Sequence, residues 1–302
     1  MIPRRRFILI SAAALALAGP SRAAPVHRWQ GIALGAKATI RLSHPQAEAV
    51  TARAAAEIAR LEDIFSLYRA GSALSVLNRQ GHLDSPPFEL LECLTIAGRV
   101  RDVSQGRFDP TVQPLWQAHA VAASAGRAIT RAERDRALAV TGWDGVQVAP
   151  DRITLRPGMA LTLNGIAQGY IADRVAALLG AEGLTDILID TGELRALGGH
   201  PQGGDWPVRL ADAGAAVPLR DGALATSAPR GTVLDDAGRV GHILDPVTGQ
   251  PAPPRWRSVT VGAASAALAD GLSTAACLMP TRASILAMTG RIPQARLVRI
   301  VT

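Results

Sequence analysis

Asp270 and Thr274 stand four residues apart in the segment Ala269-Asp-Gly-Leu-Ser-Thr274. On a helix that spacing puts a carboxylate and a hydroxyl on one face. Hard oxygen ligands of this kind suit Mg²⁺, which takes few protein ligands and completes its shell with water and phosphate. The same carboxylate could instead cap its helix or favour its positive end. A second stretch, Leu161-Thr-Leu-Asn-Gly-Ile-Ala-Gln-Gly-Tyr170, reads as a strand end, a glycine-bearing turn and a helix start near Ala167. Such a turn lets backbone amides approach a phosphate, although an ordinary strand–turn–helix joint has the same pattern. In Gly241-His-Ile-Leu-Asp-Pro-Val-Thr-Gly249, Asp245-Pro246 and Thr248-Gly249 are turn chemistry. His242 beside that turn is a candidate proton acceptor. The segment Gly106-Arg-Phe-Asp-Pro-Thr-Val-Gln-Pro-Leu-Trp116 is either a packed loop or a wall for a flat ring.

The elements that must position these residues follow from periodicity. Residues 29–42 alternate like a first strand, and residues 47–68 carry helical spacing through Val50, Ala54, Ile58, Leu61 and Phe65. Pro86-Pro87 precedes a helix over 88–105, a short charged helix spans 131–140, and 146–163 reads as a hairpin turning at Pro150-Asp151. A helix over 169–179, a strand over 186–190, a helix over 267–279 and a last strand over 297–301 complete the pattern. Strands and helices mix without a regular βαβ rhythm, which points to α+β rather than a doubly wound parallel sheet.

The 302 residues, 48% hydrophobic and 19% charged, suffice for a large core and do not read as disordered. Residues 1–23 read as an export signal of twin-arginine type: Arg4-Arg5-Arg6, an apolar run, then Ser21-Arg22-Ala23 as a cleavage site. Periplasmic residence and no stable membrane insertion after cleavage are the expectations. Of 32 basic residues four lie in that leader, which leaves 28 against 25 acids. With a single lysine and no basic stripe, nucleic-acid binding is not expected. Cys93 and Cys277 both sit in apolar helical stretches and read as separate core thiols.

Taken in order, the four chemical segments resemble the ApbE family of FAD:protein FMN transferases, from about Gly31 to Met279. Leu34-Gly35-Ala36 resembles that family's Met-Gly-Thr. Phe65-Ser-Leu-Tyr-Arg with Ser72 and Leu77-Asn78, Phe108-Asp-Pro-Thr-Val, Gly165-Ile-Ala-Gln-Gly-Tyr and Ala225-Thr226-Ser227 continue the series. The resemblance implies an α+β, T-fold-like single domain over 24–302, with antiparallel sheets, packed helices and two lobes around a flavin cleft. It also implies Mg²⁺-dependent cleavage of FAD, with FMN passed to a threonine or serine of a target protein and AMP released. FAD is then a substrate. Asp270 and Thr274 would hold the metal by side chain and Gly165 by its carbonyl, and His242 would serve the acceptor hydroxyl. Leu34, Tyr68, Arg107, Phe108, Asp109 and Leu244 would contact flavin. Thr162 and Gln168 stand on the dinucleotide side where the family usually carries Asp and Lys, and the Gly-Gly-Asp expected after the following strand reads Asp190-Thr-Gly-Glu193. These departures with the twin-arginine leader resemble the NosX branch, whose acceptor is the membrane-bound NosR protein. A non-catalytic FAD-binding or assembly protein and an FAD pyrophosphatase are the competing readings.

Overall fold

A computed structural model describes residues 25–210, 216–235 and 237–302. The leader therefore lies outside the described residues. The first predicted strand is a hairpin, β1 (His27–Ala33) and β2 (Ala36–Leu42), because Leu34 and Gly35 both take positive φ, 47° and 82°. Two such residues make the tight turn whose twist matches paired strands. After α1 (Ala47–Phe65), whose buried face carries the predicted Val50, Ala54, Ile58, Leu61 and Phe65, comes α2 (Ala73–Gln80). The short α2 was not predicted; Ser72 caps it by accepting from the Ser75 N–H. Then follow β3 (His82–Asp84), α3 (Phe88–Val103), α4 (Gln113–Ser124) and α5 (Arg131–Ala139), the last opened by a Thr130/Glu133 capping box.

The predicted hairpin is β4 (Val146–Val148) and β5 (Arg152–Leu155), which pair with β3 as a small antiparallel sheet. The remaining elements are α6 (Ala167–Ala181), β6 (Ile187–Asp190), β7 (Leu194–Leu197), β8 (Trp206–Val208), β9 (Val217–Leu219), β10 (Ala223–Ser227), β11 (Ser258–Ala263), α7 (Ala266–Ala276), α8 (Arg282–Thr289) and β12 (Arg296–Val301). Seven strands form one antiparallel sheet in the order β1-β2-β6-β7-β10-β11-β12. The expected α+β class with antiparallel sheets and packed helices is what the chain adopts.

Helices α1, α6 and α7 cover one face of the large sheet, and α3 packs behind α7. Their apolar sides merge into the main core with Ile40, Ile58, Leu61, Ile171, Val175, Ile189, Val261 and Leu272. The β8–β9 hairpin closes a second cluster around Leu188, Trp206 and Leu224. A third, of Leu115, Ala137 and Leu244, joins α4 and α5 to the 242–249 turn. Cys93 and Cys277 are buried and free, as expected of core thiols. Among the described residues no helix is long and apolar enough to cross a membrane.

Candidate active site

A cavity of about 290 Å³ opens where the main core meets the small cluster beneath the 242–249 turn. Ten of the predicted residues line it: Arg107, Phe108, Asp109, Thr162, Gly165, Gln168, His242, Leu244, Asp270 and Thr274. Leu34 and Tyr68 do not. Leu34 sits in the β1–β2 turn, where its N–H donates to Glu62 Oε1 at 2.8 Å. Tyr68 is 82% exposed and faces a separate groove with Asn78, Arg79 and Arg152.

Helix α7 carries the central pair. Asp270 is not its cap: Ser265 caps the helix by accepting from the Leu268 N–H. Asp173 of α6 accepts from the Ala266 and Ala267 N–H groups, each at 2.9 Å. Asp270 is therefore released from the capping role and lies one turn in, sharing a face with Thr274. The two helices approach closely because residue 169 is glycine; a Cβ there would fall 2.3 Å from the Ala266 carbonyl oxygen. That contact brings the Gly169 N–H to Asp270 Oδ2 at 3.3 Å. Across the cavity, Ser227 at the end of β10 holds Thr274 Oγ1 at 3.2 Å and Ser273 Oγ at 2.7 Å. Gly165 sits directly against this hydroxyl, and a Cβ there would meet Thr274 Oγ1 at 3.1 Å and Phe108 Cε2 at 3.3 Å.

Glu193, noted in the sequence only as a departure from the family pattern, enters the cavity beside Asp270. Both are buried. Burial pushes the Asp270 carboxyl up to about 7, with only the Gly169 N–H opposing. Burial and the Asp270 charge together hold Glu193 well above the usual carboxylate range. Glu193 Oε2 has no hydrogen-bond partner. Two buried acids, an orphaned oxygen and a crowded hydroxyl form a hard-oxygen set that fits Mg²⁺. Among the described residues no group of three or more His, Cys, Asp or Glu gathers as a metal site, here or elsewhere.

The polar residues around this set are mostly engaged. Asp109 Oδ1 accepts from the Thr111 N–H and hydroxyl, and Oδ2 from the Trp143 N–H, so it braces the 109–112 turn. Asp245 Oδ1 accepts from the Val247 N–H, the expected turn chemistry, and Oδ2 takes an ion pair with Arg107 at 2.7 Å. The predicted loop through Trp116 is instead a capped turn leading into α4, because Pro110 and Pro114 occupy first-turn positions where no N–H is needed. Buried His119 of α4 bonds the Gly249 carbonyl through Nε2 at 2.8 Å, fixing the far end of the turn. His242 Nδ1 lies 3.0 Å from the Thr232 carbonyl oxygen. A carbonyl only accepts, so Nδ1 carries the proton and Nε2 keeps its lone pair. Burial lowers the His242 pKa, against the pull of that carbonyl, so the ring is neutral near pH 7.

Residues 34–295 match the model of the ApbE family. The chain belongs to the ApbE family. The FAD:protein FMN transferase of Vibrio cholerae is 30% identical over 318 aligned residues, spanning 98% of this chain and 94% of that one. The FAD:protein FMN transferase of Treponema pallidum is 32% identical over 268 residues, 74% and 72% of the respective chains. Among solved structures, the Pseudomonas stutzeri flavinyl transferase ApbE superposes with TM-score 0.77 at 28% identity over 88% of each chain. The ApbE protein of Thermotoga maritima does so with TM-score 0.81 at 25% identity, over 90% of this chain and 93% of that one. The ApbE match begins in the Leu34-Gly35 turn and takes in every cavity residue named above.

Proposed function

We propose that this enzyme of the ApbE family transfers the FMN portion of FAD to a threonine or serine of a periplasm-facing protein, forming a phosphoester and releasing AMP. Asp270, Thr274 and the Gly165 carbonyl would hold Mg²⁺, which would supply neutralisation of the phosphate charge that builds during transfer. The observation that carries the reading is the neutral, Nδ1-protonated His242 in the same cavity as two uncompensated carboxylates. His242 accepts the acceptor hydroxyl's proton at Nε2 as that oxygen attacks phosphorus, and Thr232 keeps the ring in the correct tautomer. Phe108 and Leu244, both buried, and half-buried Trp116 offer apolar surface to the flavin ring. The Arg107–Asp245 pair fixes the wall that carries them. The leader supports export by the twin-arginine route, and the departures at Thr162 and Gln168 support NosR as the acceptor.

The test is intact mass spectrometry of a candidate acceptor domain incubated with the chain, FAD and Mg²⁺. The expected result is a mass gain matching FMN, abolished by EDTA and by His242→Ala, with AMP released in step. FAD bound but unbroken in the presence of several acceptors would return the chain to the assembly-protein reading. AMP release with no acceptor present would mark a pyrophosphatase.

A further inference from the structure

We infer that Glu193 is the second carboxylate of the divalent-cation site, so that the chain takes up the cation before any nucleotide arrives. The inference rests on the Mg²⁺-dependent transfer proposed above and extends the ligand set beyond the residues that the resemblance supplies. Glu193 immediately precedes β7 and lines the same cavity as Asp270, Thr274 and Gly165. It is 8% exposed, and its Oε2 is buried without a partner. Buried polar atoms in folded proteins are almost always satisfied, and an unsatisfied carboxylate oxygen facing a cavity is open to an ion or a water.

A purely structural, protonated glutamic acid would donate its O–H to an acceptor. The contact Glu193 does make is of the opposite kind: the Thr226 backbone N–H donates to its carboxyl group. Among the described residues no cation lining the cavity is free to balance the pair. Arg107, the one guanidinium on the cavity wall, is committed to Asp245 at 2.7 Å, and His242 is neutral. Thr162 and Gln168, facing the same space, carry no charge. Two carboxylates, a hydroxyl and a backbone carbonyl match a hard dication in charge as well as in ligand type. With one carboxylate, Mg²⁺ would be held chiefly by the phosphates of FAD; with two, the protein holds it alone.

Mg²⁺ alone is titrated into the full chain without FAD, by calorimetry and by the rise in Tm. Wild type is expected to saturate, and Glu193→Gln to weaken the Kd at least tenfold without lowering the metal-free Tm. Adding FAD should narrow that gap, because its phosphates then supply the missing charge. An unchanged Kd in Glu193→Gln, or a wild-type chain that binds Mg²⁺ only together with FAD, overturns the inference and leaves the transfer reading standing. Transfer that proceeds unaltered in EDTA would sink the Mg²⁺ dependence, and an acceptor that never gains FMN would sink the transfer reading itself. Should Glu193→Gln fail to fold, Mn²⁺ anomalous diffraction on nucleotide-free wild-type crystals decides the matter. An ion within about 2.1 Å of both the Glu193 and Asp270 carboxylates supports the inference; an ion away from Glu193, or none, overturns it.

Discussion

Half-buried Asp173 on α6 and the buried acids Asp270 and Glu193 lie on either side of the α6–α7 contact and β7, and they are treated in opposite ways. Asp173 is surrounded by partners: two backbone N–H groups of α7, the Ser265 hydroxyl at 2.7 Å and Arg195 Nε at 3.1 Å. Asp270 has one long hydrogen bond, and Glu193 has an oxygen with none. Burial raises the pKa in all three. Only around Asp173 do a guanidinium and a hydroxyl pull back. A buried carboxylate with its lone pairs filled locks a joint, here the start of α7. A buried carboxylate left open has lone pairs with which to take a ligand. The first makes the second possible, because the α7 N-terminus pinned by Asp173 sets the depth at which Asp270 and Thr274 enter the cavity.

The sharpest break in that comparison is Asp270→Ala, which should reduce FMN transfer on the order of a thousandfold by removing a ligand that acts at the developing charge. Its metal-free Tm should not fall, as measured by transfer kinetics and calorimetry on the same sample. Asp173→Ala should do the reverse, lowering stability by about 3 kcal/mol through loss of a cap and an uncompensated Arg195. Its kcat at a temperature where it stays folded should remain near wild type; a thousandfold loss there would erase the distinction. A smaller effect is expected from pH. An acid whose pKa is raised on folding binds its proton more tightly in the native state. Its stabilising effect is therefore present below the ordinary value of 3.8 and lost as pH climbs through about 7. In EDTA, the Tm of wild type should thus fall relative to Asp270→Asn across that window, and Mg²⁺ should restore it at the upper end. A parallel pH course for the two proteins would show that Asp270 is already compensated. The smallest effect is expected for Gly165→Ala, whose Cβ presses on Thr274 Oγ1 and Phe108. Displacing the hydroxyl by a few tenths of an ångström should weaken Mg²⁺ binding by about tenfold, or about 1.4 kcal/mol, with Tm almost unchanged.

Much of the site was legible in the sequence because its signals are local. The i, i+4 spacing of Asp270 and Thr274, the glycine-bearing turn before α6, and His242 beside Asp245-Pro246 each depend on residues within one turn of each other. The helices α1, α3, α6 and α7 showed themselves through apolar periodicity for the same reason. What escaped was short or relational. Helices α2 and α8 have eight residues each, too few for a period to emerge, and their markers were the caps Ser72 and Thr281. Helix α4 hid behind two prolines that suit a first turn as well as a loop. Leu34 and Tyr68, carried by resemblance, are not among the residues that line the cavity: one sits in a hairpin turn and the other is exposed.

By itself the sequence determined the helical spacing of Asp270 and Thr274, the turn chemistry around His242, the α+β class and the ordered motifs of the ApbE family. These need only the fixed geometry of a helix or turn. The tertiary structure alone decided which acids are satisfied. Glu193 precedes a strand of the large sheet and Asp270 lies on a helix packed against it, 77 positions later in the chain. Whether a carboxylate finds a donor, a guanidinium or nothing depends on what non-local packing brings within 3 Å.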